Sequence, residues 1–349
     1  MFLIILRNFI YLEMIKVTNK RSIGILGVGK CIPNTLLTNE EVENKSGLPL
    51  GTIEAKTGVK KRYIANESET ASELSAIACQ EALNSAKITP EQVNSIVACT
   101  FTADYVMPAL ACKVHQLLGT INASAFDVMA NCTGFQVGLN LMSDRLSADS
   151  SQSFGLVLGA ALQSRFVNWS DPSSCMYFGD GFGAAVLGEV PAGYGFLSQD
   201  ILTNSSVYEA VRIRGGGSTF PMRPENINSN LNYYEINGME VWKQVVQYQP
   251  QIIKSALAKA GLGIDDVDFF IFHQANMNLI NYLMGKMKVP MDKTYVNVAE
   301  IGNTAEASMA IALCEAVQKE KIKSGDVVVI SGVGAGFTYG ASVMRWWAP

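Results

Sequence analysis

Histidine is scarce in this chain: two in 349 residues, His115 and His273. The seven cysteines form no Cys-x-x-Cys pair and have no metal-like spacing, so neither a metal site nor a disulfide framework is expected. An odd number of unpaired thiols reads as a reducing, cytoplasmic compartment. Charge is also sparse, at 17% of residues with a net charge of −4. That balance gives no bulk attraction to nucleic acid, although a local basic patch for an acidic partner stays open. No membrane span is expected. The opening "MFLIILRNFIYLEMIKVTNK" is interrupted by Arg7 and Asn8, has no small-residue cleavage site and is too short to cross a bilayer. Residues 1–21 are read as an N-terminal extension, with Met14 as the natural start.

Apolar residues are plentiful, at 48%, enough for two domains or one large double-layered unit. Strand-like runs alternate with helix-like ones. "SIGILGVG", "VNSIVACTF", "SFGLVLGAAL" and "VDFFIFHQAN" read as strands. "TNEEVENKSG", "TASELSAIACQEALNSAKI" and "GMEVWKQVVQYQPQIIKSALAKAG" read as helices, and "CMYFGDGFGAAVLGEV" as two strands around a glycine turn. This is α/β alternation with strands buried on both faces. The two parts of the chain, 22–195 and 196–349, share the pattern, which makes a duplication plausible. The Gly-, Asn-, Ser- and Pro-rich stretch 191–235 reads as a junction and a substrate-facing loop.

In "AFDVMANCTGFQVGLNLM" a single thiol, Cys132, lies between a strand and a helix. The first turn of a helix offers unpaired N–H groups and the positive end of its dipole, which favour a thiolate. A small buried hydrophobe is the alternative. A nucleophilic cysteine needs a partner that moves or stabilises a proton. His115 sits mid-helix among packing residues. His273 follows "DFFIF" at the C-terminal end of a strand, the edge where α/β sheets bind ligands. Gln274 and Asn276 follow it with hydrogen-bonding side chains. Asn303, in "EIGNTAEAS", opens a helix and by itself reads as an N-cap.

The motifs "TGVKKRYIA", "NCTGF", "FGDGFGAAVL", "FHQAN", "GNTAEAS" and "GVGAGFTYGA" occur in an order that resembles the β-ketoacyl-acyl-carrier-protein synthase III family, from about Ser22 to Trp346. The resemblance implies a thiolase-like α/β fold of five layers, αβαβα, built from two similar halves and paired as a homodimer. It implies that Cys132 takes an acyl group from acyl-CoA, and that His273 and Asn303 bind a malonyl-acyl-carrier-protein thioester as it loses CO2. Backbone N–H groups of Cys132 and Ala335 would form the oxyanion hole, with glycines 332, 334 and 336 letting their loop approach. No bound cofactor is implied, acyl-CoA being a substrate. Asp180 in "GDGFG" reads as structural, not as a phosphate cradle.

Several positions depart from the family pattern. Thr52 and Lys56 stand where a tryptophan and an arginine flank the CoA adenine, while Arg165 matches the other adenine-contacting arginine. Met239 replaces an asparagine after the matching Gly238. With Asn276, the set Lys56, Arg165 and Gly238 is the expected CoA rim. Asn278 replaces a basic residue that helps dock the carrier, and Lys243, Lys286 and Lys288 are the remaining basic candidates. Met107 closes the partner subunit's acyl pocket, where a flexible methionine permits a longer or differently shaped acyl group. Glu306 stands where a small residue is usual, either as a surface helix residue or as one that alters the entrance. Three other readings stay open: acyl transfer to an alcohol or amine, thioester hydrolysis, and a non-catalytic subunit.

Overall fold

The structure, a computed structural model, describes residues 21–348. The proposed alternative start at Met14 and the possible signal-like character of the opening lie outside the described residues.

The buried apolar runs become two central sheets. The first has the order β1-β7-β6-β4-β5, from β1 (Ile23–Cys31), β4 (Val93–Cys99), β5 (Ser124–Val128), β6 (Phe154–Ala161) and β7 (Gly181–Glu189). Strands β5, β4 and β6 run parallel, and β7 and β1 complete the sheet antiparallel. The second has the order β11-β12-β13-β8, from β8 (Gly195–Thr203), β11 (Phe269–Phe272), β12 (Val327–Gly334) and β13 (Thr338–Arg345). There β11 and β12 are parallel, and β13 and β8 antiparallel. The succession β4-β6-β7-β1 is thus repeated by β11-β12-β13-β8. Two short pairs, β2 (Thr35–Thr38) with β3 (Lys61–Ile64) and β9 (Val211–Arg212) with β10 (Glu235–Ile236), lie outside these sheets.

Helices fill three layers. Helix α1 (Asn39–Ser46) is capped by Thr38 in a capping box and stopped by Gly47 in the left-handed conformation, as its sequence dictates. Short α2 (Thr52–Thr57) follows. Helix α3 (Ala71–Ala86), capped by Thr70, and α4 (Leu110–Leu118) cover the outer face of the first sheet. Leu74, Ala78, Leu110 and Val114 pack there on Ile96 and Leu158. Helix α5 (Gly134–Ala148) and α9 (Ser308–Gln318) lie between the sheets. Phe135, Leu139, Met309 and Leu313 meet Val97 and Val157 on one side and Ile271 and Ile330 on the other. Helix α6 (Gly238–Lys259) and α7 (Met277–Met287) close the far face, with Ile252, Ile253 and Leu283 on Phe270, Val329 and Val343. Short α8 (Val298–Ile301) precedes the Asn303 turn. The result is five layers, αβαβα. Strand β12 is buried along its whole length, as burial on both faces requires.

Two expectations need correction. Residues 195–203 of the supposed junction are strand β8, because their backbone completes the edge of the second sheet beside β13. "CMYFGDG" supplies no full strand: Phe178 makes a single bridge to Asn303, and β7 starts only at Gly181. Asp180 explains the interruption. It is fully buried, and its carboxylate accepts hydrogen bonds from Ala65 N (2.8 Å), Ser164 N (2.8 Å) and Ser164 Oγ (2.6 Å). It is therefore structural, as read. Asp180→Ala strands three buried donors and is expected to lower stability by about 2–3 kcal/mol, measured by urea unfolding.

Candidate active site

Cys132 lies in a 3-10 turn, Asn131–Thr133, that leads from β5 into α5. Asn131 takes a positive φ of 48°. Its side-chain Nδ2 donates to Ala335 O at 3.0 Å, tying the turn to the loop after β12. Thr133 Oγ1 donates to Thr338 O at 2.8 Å and ties it to β13. A Cβ on Gly334 would fall 2.4 Å from Ala130 O, so glycine is required for this approach. Gly336 is different: a Cβ there would meet nothing within 4 Å, and its φ of 129° is what calls for glycine.

The expectation that Cys132 sits on the first turn of a helix is corrected. Cys132 precedes α5 and is not in its first turn. Burial pushes its thiol up. Loss of hydration works against the stabilisation that a helix end offers a thiolate.

His273 ends β11, its N–H donating to Ser331 O at 3.0 Å. Its Nδ1 lies 2.7 Å from Ser308 Oγ, at the start of α9. The same oxygen accepts from Gln274 N at 3.2 Å. With the hydroxyl donating to Nδ1, the proton of the neutral ring sits on Nε2. Burial lowers the imidazole from its ordinary range to about 4, so the ring is neutral at physiological pH.

Asn303 does not open α9 directly. It precedes a 3-10 turn, Ala305–Ala307, and its Oδ1 accepts from Ala305 N at 2.9 Å. That bond leaves Nδ2 as the group it can present. Ala305 takes a positive φ of 39° to allow the turn. The Cys132 turn packs against the Ala305–Ala307 turn, and Ser308 joins the latter to His273. Three distant stretches of sequence thus converge at the ends of β5, β11 and β12.

Two family models match, 3-oxoacyl-[acyl-carrier-protein] synthase III over residues 126–205 and its C-terminal counterpart over 257–346. A β-ketoacyl-[acyl-carrier-protein] synthase III of Desulfitobacterium hafniense (strain Y51) is 37% identical over 93% of this chain and 98% of its own length. The chain belongs to the β-ketoacyl-[acyl-carrier-protein] synthase III family. Its fold is the thiolase-like one of that family. The 3-oxoacyl-[acyl-carrier-protein] synthase III of Aquifex aeolicus VF5 superposes with a TM-score of 0.85 at 33% identity, covering 93% of this chain and all of that one. A priming β-ketosynthase of the R1128 polyketide pathway reaches 0.86 at 27% identity, covering 95% and 99%.

Lys56, Asn276 and Gly238, three of the residues expected at a CoA rim, lie on adjoining elements. Asn278 Nδ2 donates to Lys56 O at 2.8 Å, which joins the end of α2 to the start of α7. Asn276 caps α7, its Oδ1 accepting from Leu279 N at 2.9 Å. Gly238 opens α6, which meets α7 through Trp242 and Tyr282, ring centroids 5.4 Å apart. Arg165 is exposed, but its Nη2 already donates to Glu69 O at 2.6 Å and approaches Asn66 O at 3.3 Å, bracing the loop before α3. Of the basic candidates, Lys243 pairs with Glu240 at 2.7 Å, and Lys286 lies over the Tyr282 ring. His115 is half-buried on α4 and belongs to none of the converging turns.

Glu306 is not a surface helix residue, one of the two expectations made for it. It is fully buried, because the 3-10 turn that carries it passes beneath the ends of β4 and β6. Its Oε2 accepts from Gln163 Nε2 at 3.3 Å, and Gln163 Oε1 accepts from the Tyr234 hydroxyl. Burial pushes the Glu306 carboxyl up to about 8. Gln163, Tyr234 and Ser308 were not singled out in the sequence. Ser308 closes the motif "GNTAEAS" and Tyr234 lies in the stretch 191–235, but neither position by itself signals a polar contact with the site.

Proposed function

We infer that this enzyme is an acyltransferase that carries out a decarboxylative Claisen condensation, joining an acyl group from acyl-CoA to malonyl-acyl-carrier protein in fatty-acid initiation or a related specialised pathway. The observation that carries the residue assignment is orientation. Ser308 occupies Nδ1 of His273 and Ala305 N occupies Oδ1 of Asn303, which leaves Nε2 and Nδ2 as the N–H donors the two side chains can present, and the turn that follows Asn303 packs against the turn of Cys132.

The steps follow. Cys132 Sγ attacks the thioester carbonyl of acyl-CoA. The Sγ–C bond forms, the bond from carbon to CoA sulfur breaks, and the thiol proton leaves with CoA. Backbone N–H groups of Cys132 and Ala335 receive the oxyanion. The malonyl thioester then loses CO2, and its enolate oxygen accepts from His273 Nε2 and Asn303 Nδ2. The carbanion attacks the acyl carbonyl, and the released Cys132 sulfur takes up a proton. No bound cofactor is needed. CoA enters over the rim formed by Lys56, Gly238 and Asn276, with Arg165 bracing its edge. The alternative reading as a hydrolase is disfavoured, because an imidazole held at about 4 is a poor base for a thiol.

The same reading includes a homodimer in the cytoplasm, built from the halves 22–195 and 196–349. Its support is an exposed apolar face beside edge strand β5: Val106 is 96% exposed, Met107 80%, Ile121 74% and Met129 72%. An unpaired strand edge with such neighbours calls for cover. Met107 would then reach the partner's acyl site. Phe126→Lys, on β5, is expected to give monomers by light scattering, whereas a wild-type monomer contradicts the dimer. Among the described residues no helix is long and apolar enough to cross a membrane.

Labelled malonyl-acyl-carrier protein incubated with a panel of acyl-CoAs tests the reaction. One CO2 and one CoA released per 3-ketoacyl product is the expected result. Thioester hydrolysis without CO2 release would contradict it.

A further inference from the structure

The Glu306 carboxyl ends a buried polar chain that the condensation itself does not use. The chain runs from the Tyr234 hydroxyl to Gln163 and on to Glu306 Oε2. All three residues are buried, Glu306 and Gln163 completely. The Tyr234 ring is fixed by Phe178, stacked at 4.4 Å, and by Phe101, edge-on at 6.0 Å. At the other end, Glu306 Oε1 has no hydrogen-bond partner of good geometry. A buried oxygen left in this way is costly unless a ligand or water completes it.

The chain lies beside the nucleophile. A Cβ on Gly134, two residues after Cys132, would sit 3.5 Å from Glu306 Cγ. The turn that carries Glu306 packs directly against the turn of Cys132. The wall behind Cys132 is therefore polar at this point. Because Gln163 Nε2 donates to Oε2, the proton of the neutral acid belongs on Oε1. Burial keeps that acid neutral at physiological pH, its pKa lying at about 8. Oε1–H is then a donor in need of an acceptor.

We propose that the Tyr234–Gln163–Glu306 chain selects the acyl donor, favouring a short acyl chain that carries a hydrogen-bond-accepting oxygen, of the 3-hydroxyacyl or 3-oxoacyl class, over the plain alkyl chain of equal length. This rests on the reading of Cys132 as the acyl acceptor. The oxygen would complete Glu306 Oε1, while an alkyl chain would leave it buried and unpaired. One hydrogen bond to a buried donor supports a preference of about tenfold or more.

The test compares rates of acylation of the wild-type enzyme by butyryl-CoA, 3-hydroxybutyryl-CoA and 3-oxobutyryl-CoA, read by intact-protein mass. The oxygenated donors are expected to react about tenfold faster or more. Glu306→Met, similar in size but apolar, should bring the ratio to about one, and Glu306→Gln should keep part of it. Equal wild-type rates, or faster butyryl transfer, would overturn the proposal, and so would a preference that persists in Glu306→Met. Acylation without preference sinks this inference alone. Failure of every donor to acylate the enzyme sinks the reading of Cys132 with it.

Discussion

Cys132→Ala is expected to leave no acyl-enzyme and no condensation, a loss of turnover to background. The thiol is the one group that both accepts the acyl chain and returns it, so no neighbour substitutes. Among the described residues the other six cysteines are free thiols too, and Cys99, which packs against Gly134 and Gly138 of α5, is fully buried. Cys79, Cys99, Cys175 and Cys314 are buried, Cys112 is exposed on α4, and Cys31 lies in β1. Acyl transfer measured by intact mass with acyl-CoA alone checks the first half of the expectation. The release of CO2 from malonyl-acyl-carrier protein checks the second. A variant that still forms ketoacyl product at wild-type rate contradicts the assignment.

His273→Ala separates the two halves of the reaction. Acylation of Cys132 persists, because the imidazole is not its base, while CO2-coupled condensation falls by about 10²–10³, the usual cost of one lost oxyanion donor. The pH dependence follows from the same ring. Burial holds its pKa at about 4, below the ordinary value of 6.5. The neutral donor form therefore persists as pH falls through 6.5, and is lost only near 4. The sign for stability is the corresponding one. The unfolded ring protonates below 6.5 and the folded one does not, so this group's contribution is complete above 6.5 and declines between 6.5 and about 4. Condensation measured against pH on pre-acylated enzyme should show no inflection at 6.5 from this residue. Loss of acylation in His273→Ala would instead return the imidazole to the role of base.

Much of the architecture was legible because it rests on short-range rules. Thr38 and Thr70 cap the helices that follow them, Gly47 ends the first, and the uninterrupted apolar runs become strands buried on both faces. Cys132, His273 and Asn303 were visible as weak signals at element ends, and the family resemblance joined them. Burial depth was not visible. The run "GNTAEAS" does not reveal that Glu306 lies beneath the ends of β4 and β6, because that depth is set by strands some 150–200 residues earlier in the chain. A separation of 71 residues hides the Gln163–Tyr234 contact. The desolvation of Cys132 was hidden for a related reason: the helix end is local, but desolvation depends on everything packed around it. Strand β8 escaped notice because its polar outward residues resemble a loop until β13 is placed beside it.

The most direct test maps the acyl group after incubation with acyl-CoA and no malonyl donor. Peptide mass spectrometry should find it on the peptide that carries Cys132 and on none of those carrying the other six cysteines. Label on a different cysteine, or no covalent adduct in an enzyme that still makes ketoacyl product, would contradict the account.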